Sequence, residues 1–120
     1  MAGEMDLARL LAGLSPELAA GRFAFERSQH TQMGEEVFAL IREVEGITAI
    51  VQRTDGDWAR VTLGVHSSLE VVGLTAALSR LLAGVGISAN VVAALHHDHF
   101  FVPWTRRHDA LVAIQSVSAT

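Results

Sequence analysis

The sequence predicts an α+β fold, a two-layer sandwich in which helices cover one face of an antiparallel sheet. Three observations predict it. Segments with strand-like alternation occur between segments with helical spacing, short turn motifs join neighbouring strands, and each predicted helix carries one apolar stripe. Such a helix must bury its apolar stripe against another layer, and the predicted sheet provides that layer. This pattern is typical of the ferredoxin-like arrangement.

The first quarter of the chain predicts one helix and one strand. The helix is predicted by apolar residues at helical spacing, namely Leu7, Leu10, Leu11 and Leu14. Asp6 is its expected N-cap, and it is expected to end between residues 13 and 16. Residues 22–26 alternate as a strand and place Phe23 and Phe25 on one face. Residues 28–31 are expected to form a loop.

A second helix, a strand and a hairpin are predicted next. Thr31 is expected to cap a helix that ends at Gly46 and has helical spacing at Val37, Leu40, Ile41 and Val44. Its first turn would hold Glu35 and Glu36, where the helix dipole favours acidic groups. Residues 47–53 predict a largely buried strand. Asp55-Gly56 then predicts a type I′ hairpin turn into a return strand at residues 58–65.

The second half predicts two helices around a hairpin. The first helix places six apolar residues on one face, namely Val71, Leu74, Leu78, Leu81, Leu82 and Val85. Residues 87–95 form an apolar strand whose hairpin partner is residues 99–102. Thr105 is expected to cap a final helix with Leu111, Ile114 and Val117 facing inward.

One internal echo suggests a duplicated unit. Residues 46–51 read GITAIV and residues 86–91 read GISANV, and both copies are expected to follow a helix and begin a strand. Chance similarity is the alternative, because a glycine between a helix and a strand is common. The matching context favours a duplicated β-α-β unit.

Composition limits the classes of function. Half of the 120 residues are apolar and 18% are charged, which suits one compact domain or two very small ones. The net charge of −4 and the absence of a basic cluster argue against nucleic acid as a partner. The sequence holds no cysteine, so thiol catalysis and disulfides are excluded. Short apolar runs and early acidic residues favour a cytoplasmic protein without a membrane partner.

Polar residues near two element ends suggest a small-ligand site. Ser67-x-x-Glu70 matches a capping box, whose first reading is a good helix start. A helix N-terminus can also receive a carboxylate, and Gly73 in the first turns indicates that space is needed for packing or for a ligand. Asn90 interrupts an apolar strand and, if buried, needs a hydrogen-bond partner within the chain, in a ligand or in another subunit. Ser88 is expected on the same face.

Histidines and serines raise two weaker hypotheses. The run His96-His97-Asp98-His99 contains candidate metal ligands, with His97 and His99 expected on one strand face. Two ligands per face are too few for a closed site, so a polar hairpin with Asp98 at its turn is favoured and no metal or cofactor is predicted. No nucleophile elbow or phosphate-binding glycine loop occurs, and an enzyme is not expected.

The block from residue 65 to residue 102 resembles a family of short bacterial proteins built from two ACT-like regulatory units. The resemblance is carried by VHSSLEVVGLTA at residues 65–76, GISANVVA at 86–93 and HDHFFV at 97–102. It extends more loosely over LARLLAGLSPEL at residues 7–18. The family is similar to the regulatory region of aspartokinase and, more distantly, to the ACT units of the vertebrate cytosolic arginine sensor.

The resemblance implies a non-catalytic regulatory protein that binds a small ligand, such as an amino acid, at a unit or subunit interface. It implies an incomplete ACT-like unit at residues 1–56, a second at residues 57–120, and a homodimer or larger homo-oligomer acting through a regulated protein. The ligand would lie between a strand-to-helix loop and a neighbouring second strand. Carried over, the site residues are Ser67, Ser68, Leu69, Glu70, Val72, Gly73, Leu74, Ile87, Ser88, Ala89, Asn90 and Val91.

Two departures from the family accompany this. About five strands are predicted, too few for two complete units, so strands must be shared or one unit degraded. The first copy of the echo has Ile50 where the second has Asn90, and it lacks the Ser-Ser-x-Glu pattern. A structural module that has lost its ligand is therefore the alternative function.

Overall fold

The computed structural model describes residues 3–28 and 32–118 and has an α+β architecture. The described elements, in chain order, are α1 (Leu7–Ala12), β1 (Pro16–Leu18), β2 (Phe23–Ser28), β3 (Val37–Glu43), β4 (Gly46–Gln52), β5 (Trp58–Leu63), α2 (Leu74–Gly84), β6 (Asn90–Ala93), β7 (Asp98–Pro103), a 3-10 turn (Trp104–Arg106) and α3 (Arg107–Ser118). None of the described helices is long and apolar enough to cross a membrane.

A single antiparallel sheet contains all seven described strands. Its order is β3-β4-β2-β5-β7-β6. β2 pairs with the start of β5 at Trp58, and β1 pairs with the end of β5 at residues 61–63. The four strands β1-β5-β7-β6, with α2 between β5 and β6 in the chain and α3 after β7, have the ferredoxin-like order. The strand that would follow α3 in that arrangement is supplied by β1, which comes from the start of the chain. The described strands number seven, where about five are predicted, and β1 from the predicted first unit pairs with β5 of the predicted second.

The main core lies between the three helices and one face of this four-strand part. Leu10 of α1, Leu78 of α2 and Ile114 of α3 have no exposed surface, and they belong to one cluster with Val61 and Phe100 of the sheet. Burying a leucine-sized side chain contributes about 1.5–3 kcal/mol each. The prediction that helices cover one sheet face is confirmed for this part of the molecule.

The opposite sheet face forms a second cluster that we call the curled face, defined by Phe23, Phe38, Ile50, Trp58, Arg60 and Phe101. Three strands separate β3 from β7 in the sheet, yet the ring centroids of Phe38 and Phe101 are only 5.5 Å apart. The sheet must therefore curl strongly to bring its β3 end over β7. Edge-to-face contacts among these rings stabilise the curl.

Most local predictions are confirmed. The Asp6 side chain accepts a hydrogen bond from the Arg9 backbone N–H and caps α1. Phe23 and Phe25 lie on one face, since both rings contact Phe101. The predicted strands at residues 22–26, 47–53, 58–65 and 99–102 all exist, and Ile114 faces inward.

The predicted helix between residues 31 and 46 is wrong, because this segment is strand β3 and its hairpin with β4. Val44, expected in the buried stripe, is fully exposed in the turn. The spacing of apolar residues fits both periods over so short a segment, and the β-branched and aromatic residues of VFALI favour the strand. Glu35 and Glu36 lie in a turn before β3, and Thr31 lies outside the described residues.

The predicted Asp55-Gly56 hairpin is also wrong. β4 and β5 do not pair, because β2 lies between them in the sheet. Gly56 is required for a different reason. A Cβ at this position would lie 2.4 Å from the carbonyl oxygen of Phe23, so the connection passes directly against β2.

The two copies of the repeated motif, at residues 46–51 and 86–91, lie in different structural contexts. Residues 46–51 follow β3, whereas residues 86–91 follow α2, so the expectation that both copies follow a helix is wrong. The strand also begins at Gly46 in the first copy and only at Asn90 in the second. What the copies share is a glycine with positive φ, 138° at Gly46 and 74° at Gly86.

Candidate functional site

The loop from residue 64 to residue 73 joins β5 to α2, and the predicted capping box does not form there. α2 begins at Leu74, and its N-cap is Gly73 in the left-handed region with φ 99° and no side-chain cap. Ser67 is buried instead, and its hydroxyl donates to Asp98 Oδ2 at 3.4 Å. Ser68 Oγ accepts from the Glu70 backbone N–H at 3.1 Å, which closes a local turn and not a helix.

The N-terminal segment holds this loop from the other side. The Glu4 N–H donates to the His66 carbonyl, and the Glu4 carbonyl accepts from the Ser68 N–H, both at 3.0 Å. A Cβ on Gly3 would lie 2.5 Å from the carbonyl carbon of Ser67, so only glycine fits that crossing. The loop is therefore fixed between the start of the chain and the β6–β7 hairpin.

The space at Gly73 is used for packing. A Cβ at this position would lie 3.1 Å from Leu7 Cδ2 of α1, and the positive φ alone would strain any other residue. The α2 N-terminus nevertheless presents backbone N–H groups that no side chain caps, and Thr75 and Ala76 in its first turn are exposed. Beside them Leu69 and Val72 expose 64% and 86% of their surface.

The strand expected to form the other half of the site starts later than predicted. Ile87 is buried, Ser88 and Asn90 are exposed, and β6 begins at Asn90. Asn90 is exposed, so the condition under which it would need a hydrogen-bond partner is not met, and water can satisfy its amide. Asn90 pairs in register with Phe101 and shares its sheet face, whereas Val91 faces the helices.

Within one chain the two halves of the predicted site do not meet. The loop contacts the C-terminal end of β6, where Ala93 pairs with Asp98. Asn90 lies three residues further along the strand, about 10 Å away at the usual rise per residue. β6 is an edge strand with no neighbour on its outer side within the described residues. Loop and strand can therefore come together only between copies of the chain.

The histidine run lies around the β6–β7 hairpin and is held by hydrogen bonds. His97 Nδ1 lies 3.3 Å from the Val65 carbonyl oxygen, and His99 Nδ1 lies 2.8 Å from Thr62 Oγ1. Asp98, expected at the turn, is the first residue of β7 and is buried. Among residues 3–28 and 32–118, no group of three or more histidine and carboxylate side chains is arranged to hold a metal ion.

Burial shifts two pKa values in this region. It raises the pKa of the Asp98 carboxyl, with the Ser67 hydrogen bond and nearby His97 opposing the rise. Burial also lowers the pKa of His99 from 6.5 to about 4, and the positive charge of Arg60 adds to the effect, as does that of His97. His99 is therefore uncharged at neutral pH.

Arg60 is the feature that the sequence did not reveal. Its guanidinium lies on the curled face beside Phe23 and Phe38, and its Nε is buried with no hydrogen-bond partner in the described chain. The signal was present in the alternation of WARVTL, where Arg60 falls between Trp58 and Thr62 on one strand face. Arg60 packs against Phe38, for which the sequence predicts a helix and the structure shows β3.

Comparison with known proteins agrees with this architecture. Two ACT-domain family models match adjacent parts of the chain, at residues 2–65 and 53–116. A solved structure of a protein of unknown function from Vibrio cholerae, described as a possible transport protein, is 38% identical, with a TM-score of 0.73 over 90% of this chain and 92% of that one.

A solved protein from Agrobacterium tumefaciens shares the fold at 15% identity, with a TM-score of 0.60 over 80% of this chain and 81% of that one. No functionally curated protein matches significantly. The prediction of tandem ACT-like units is confirmed by the two adjacent matches, whereas the boundary between residues 56 and 57 stays a prediction. The chain belongs to the ACT-domain family.

Proposed function

We propose that this protein is a non-catalytic, cytoplasmic regulatory protein that binds an amino acid between two copies of the chain. One copy contributes residues 67–74 and the other contributes residues 87–91. The single observation that carries this proposal is the α2 N-terminus, which no side chain caps. Membership of the ACT-domain family, whose members are typically regulatory and ligand-binding, supports it.

Each half of the proposed site supplies a different part of the recognition. Uncapped N–H groups and the positive end of the α2 dipole suit the ligand carboxylate. The exposed Ser88 and Asn90 of a second copy offer side-chain oxygens to its ammonium group, beside the backbone of an open strand edge. Leu69 and Val72, exposed in one copy, would be covered by the second copy.

A panel of free amino acids in thermal unfolding tests this function. At a concentration 100 times its Kd, a ligand that binds only the folded protein adds about 2.7 kcal/mol to the free energy of unfolding. We expect at least one amino acid to raise Tm by several degrees. No shift with any of them at millimolar concentration, in a stable dimer, would instead favour the structural module.

Thr75→Glu is the variant that tests the location. A carboxylate in the first turn of α2 favours the helix by about 0.3–1 kcal/mol but repels a bound carboxylate. We expect the variant to fold and to lose the amino-acid response. Thr75→Gln, whose side chain has the shape of glutamate without its charge, should keep the response. An undiminished response in Thr75→Glu would place the ligand elsewhere.

A further inference from the structure

A partly buried cation that forms no ion pair among residues 3–28 and 32–118 lies on the curled face. In β5 the residues Ala59, Val61 and Leu63 are buried on the helix side, and the alternate residues Trp58, Arg60 and Thr62 face the other way. The Nε atom of Arg60 is buried and has no hydrogen-bond partner among the described residues. A guanidinium carries five N–H donors in a planar fork, so this side chain retains unused donor capacity.

The groups around Arg60 attract its charge without satisfying its donors. Its guanidinium carbon lies 5.2 Å from the ring centroid of Phe23 and 4.7 Å from that of Phe38. Such cation–π contacts favour the charge but provide no hydrogen-bond acceptor. Glu17 lies opposite Thr62 on β1, yet it is exposed and forms no ion pair with Arg60 in the described chain.

The surroundings favour a ligand that carries one negative charge. His99 is a titratable group on the same face, and burial, with Arg60 and His97 adding to it, keeps its pKa near 4, so it is uncharged at neutral pH. Arg60 therefore supplies the positive charge beside the Phe23 and Phe38 rings. Its neighbours Phe23, Phe38, Phe101 and Val92 are apolar, and a ligand with an excess of negative charge would remain uncompensated among them.

We propose that the curled face binds a small monocarboxylate with an apolar or aromatic body. The carboxylate would pair with the Arg60 guanidinium, and the body would lie against the partly exposed Phe38 and Val92, beside the buried rings of Phe23 and Phe101. Bidentate pairing with a carboxylate is the interaction for which the guanidinium fork is best suited. This site differs from the α2 half of the amino-acid site proposed above, because α2 and its N-terminus lie on the other side of the sheet, whereas Asn90 lies on the same face as Phe101.

Titration with sodium benzoate tests this site directly. The Arg60 Nε–H group gives its own signal in a proton–nitrogen correlation spectrum, and we expect benzoate to shift that signal and to raise Tm. Benzamide, which has the same ring and no charge, should do neither. Inorganic phosphate at the same ionic strength should shift the signal less than benzoate does. An unshifted Arg60 signal, or equal effects of benzoate and benzamide, would overturn the proposal.

Two matched variants locate the effect. Arg60→Met keeps an apolar side chain of similar length against the rings and should abolish the benzoate-dependent rise in Tm. Arg80→Met makes the same change at an exposed position on α2 and should respond like the natural protein. If Arg60→Met does not fold, the Arg60 signal of the natural protein still decides the question. A benzoate response that persists in folded Arg60→Met would contradict the site.

Thr75→Glu separates this proposal from the proposed function. We expect this variant to lose its amino-acid response and to keep its benzoate response, because Thr75 lies at the α2 N-terminus, on the opposite side of the sheet from Arg60. A loss of the benzoate response in Thr75→Glu would contradict a separate site on the curled face.

Discussion

His99 on β7 is a histidine that remains uncharged because of what lies against it. Phe38 packs edge-on at 4.9 Å between centroids, Thr62 Oγ1 is within hydrogen-bond distance of Nδ1, and Arg60 and His97 contribute positive charge. Since its pKa is lower in the folded protein than in the unfolded chain, protonation favours unfolding. The stabilising contribution of the neutral ring is present above pH 6.5 and is lost as the pH falls towards 4.

We therefore expect His99→Gln to reduce the dependence of stability on pH. Glutamine can still hydrogen-bond to Thr62 but does not titrate, so the free energy of unfolding should fall less between pH 7 and pH 5 than in the natural protein. Urea unfolding at the two pH values measures this. The control is His108→Gln, an exposed position on α3. Equal pH dependence in His99→Gln and the natural protein would show that His99 is not the group responsible.

Single residues were predictable from the sequence where their environment is local. Asp6 as a helix cap and the shared face of Phe23 and Phe25 follow from rules that span a few residues. Ser67 was misassigned, because its partner Asp98 is distant in the chain and only the folded hairpin brings it near. The burial of Arg60 likewise depends on Phe38, which comes from the far end of the sheet.

Gly84 and Gly86 lie close together at the C-terminal end of α2 but have different roles, and the sequence alone does not distinguish them. Gly84 lies within α2, and a Cβ there would meet nothing within 4 Å. Gly86 also has open space, but its φ is 74°, and the backbone N–H groups of Gly86 and Ile87 donate to Ala83 and Leu82 to close the helix. The difference between the two positions is therefore conformational and not steric.

These two glycines make a matched pair. We expect Gly84→Ala to raise the free energy of unfolding by about 0.5–1 kcal/mol, because alanine is favoured in a helix and narrows the unfolded ensemble. Gly86→Ala should lower it by about 1–2 kcal/mol, since alanine is strained in the left-handed region. Urea unfolding of both variants measures the difference, and effects of the same sign would contradict this assignment of the α2 C-terminus.

Helices and strands were predictable from the sequence where the pattern of buried residues and the secondary-structure propensity of the segment agree. α1, α2 and α3 each bury the centre of the predicted stripe, although Val71 and Val85 lie outside α2 and Val85 is 48% exposed. β4, β5 and β7 are continuous apolar or alternating runs. β3 was misassigned because its apolar spacing over a few residues fits a helix as well as a strand. The pairing of β2 between β4 and β5 could not be read from turn motifs, which report only on neighbouring segments.

Across the whole molecule, helices and open surfaces are unevenly distributed. All three described helices pack on the side formed by β1, β5 and β7, whereas no described helix residue belongs to the cluster of the curled face. Among the residues that the structure describes, the sheet also ends in β3 at one edge and β6 at the other, with no further strand paired to either. An open strand edge favours pairing between chains. This organisation agrees with a regulatory site that is completed by a second copy.

The central claim, that the amino-acid site combines a loop from one copy with a strand from another, is tested most directly by mixing two inactive variants. Thr75→Glu removes the loop half, and Asn90→Leu removes the strand half, so neither dimer alone should bind the amino acid that the thermal panel identifies. After subunit exchange, each mixed dimer holds one site made of two unaltered halves. The account predicts that calorimetric titration of the mixture recovers binding at the affinity of the natural protein. Absence of binding in a mixture whose exchange is verified by mass spectrometry would contradict it.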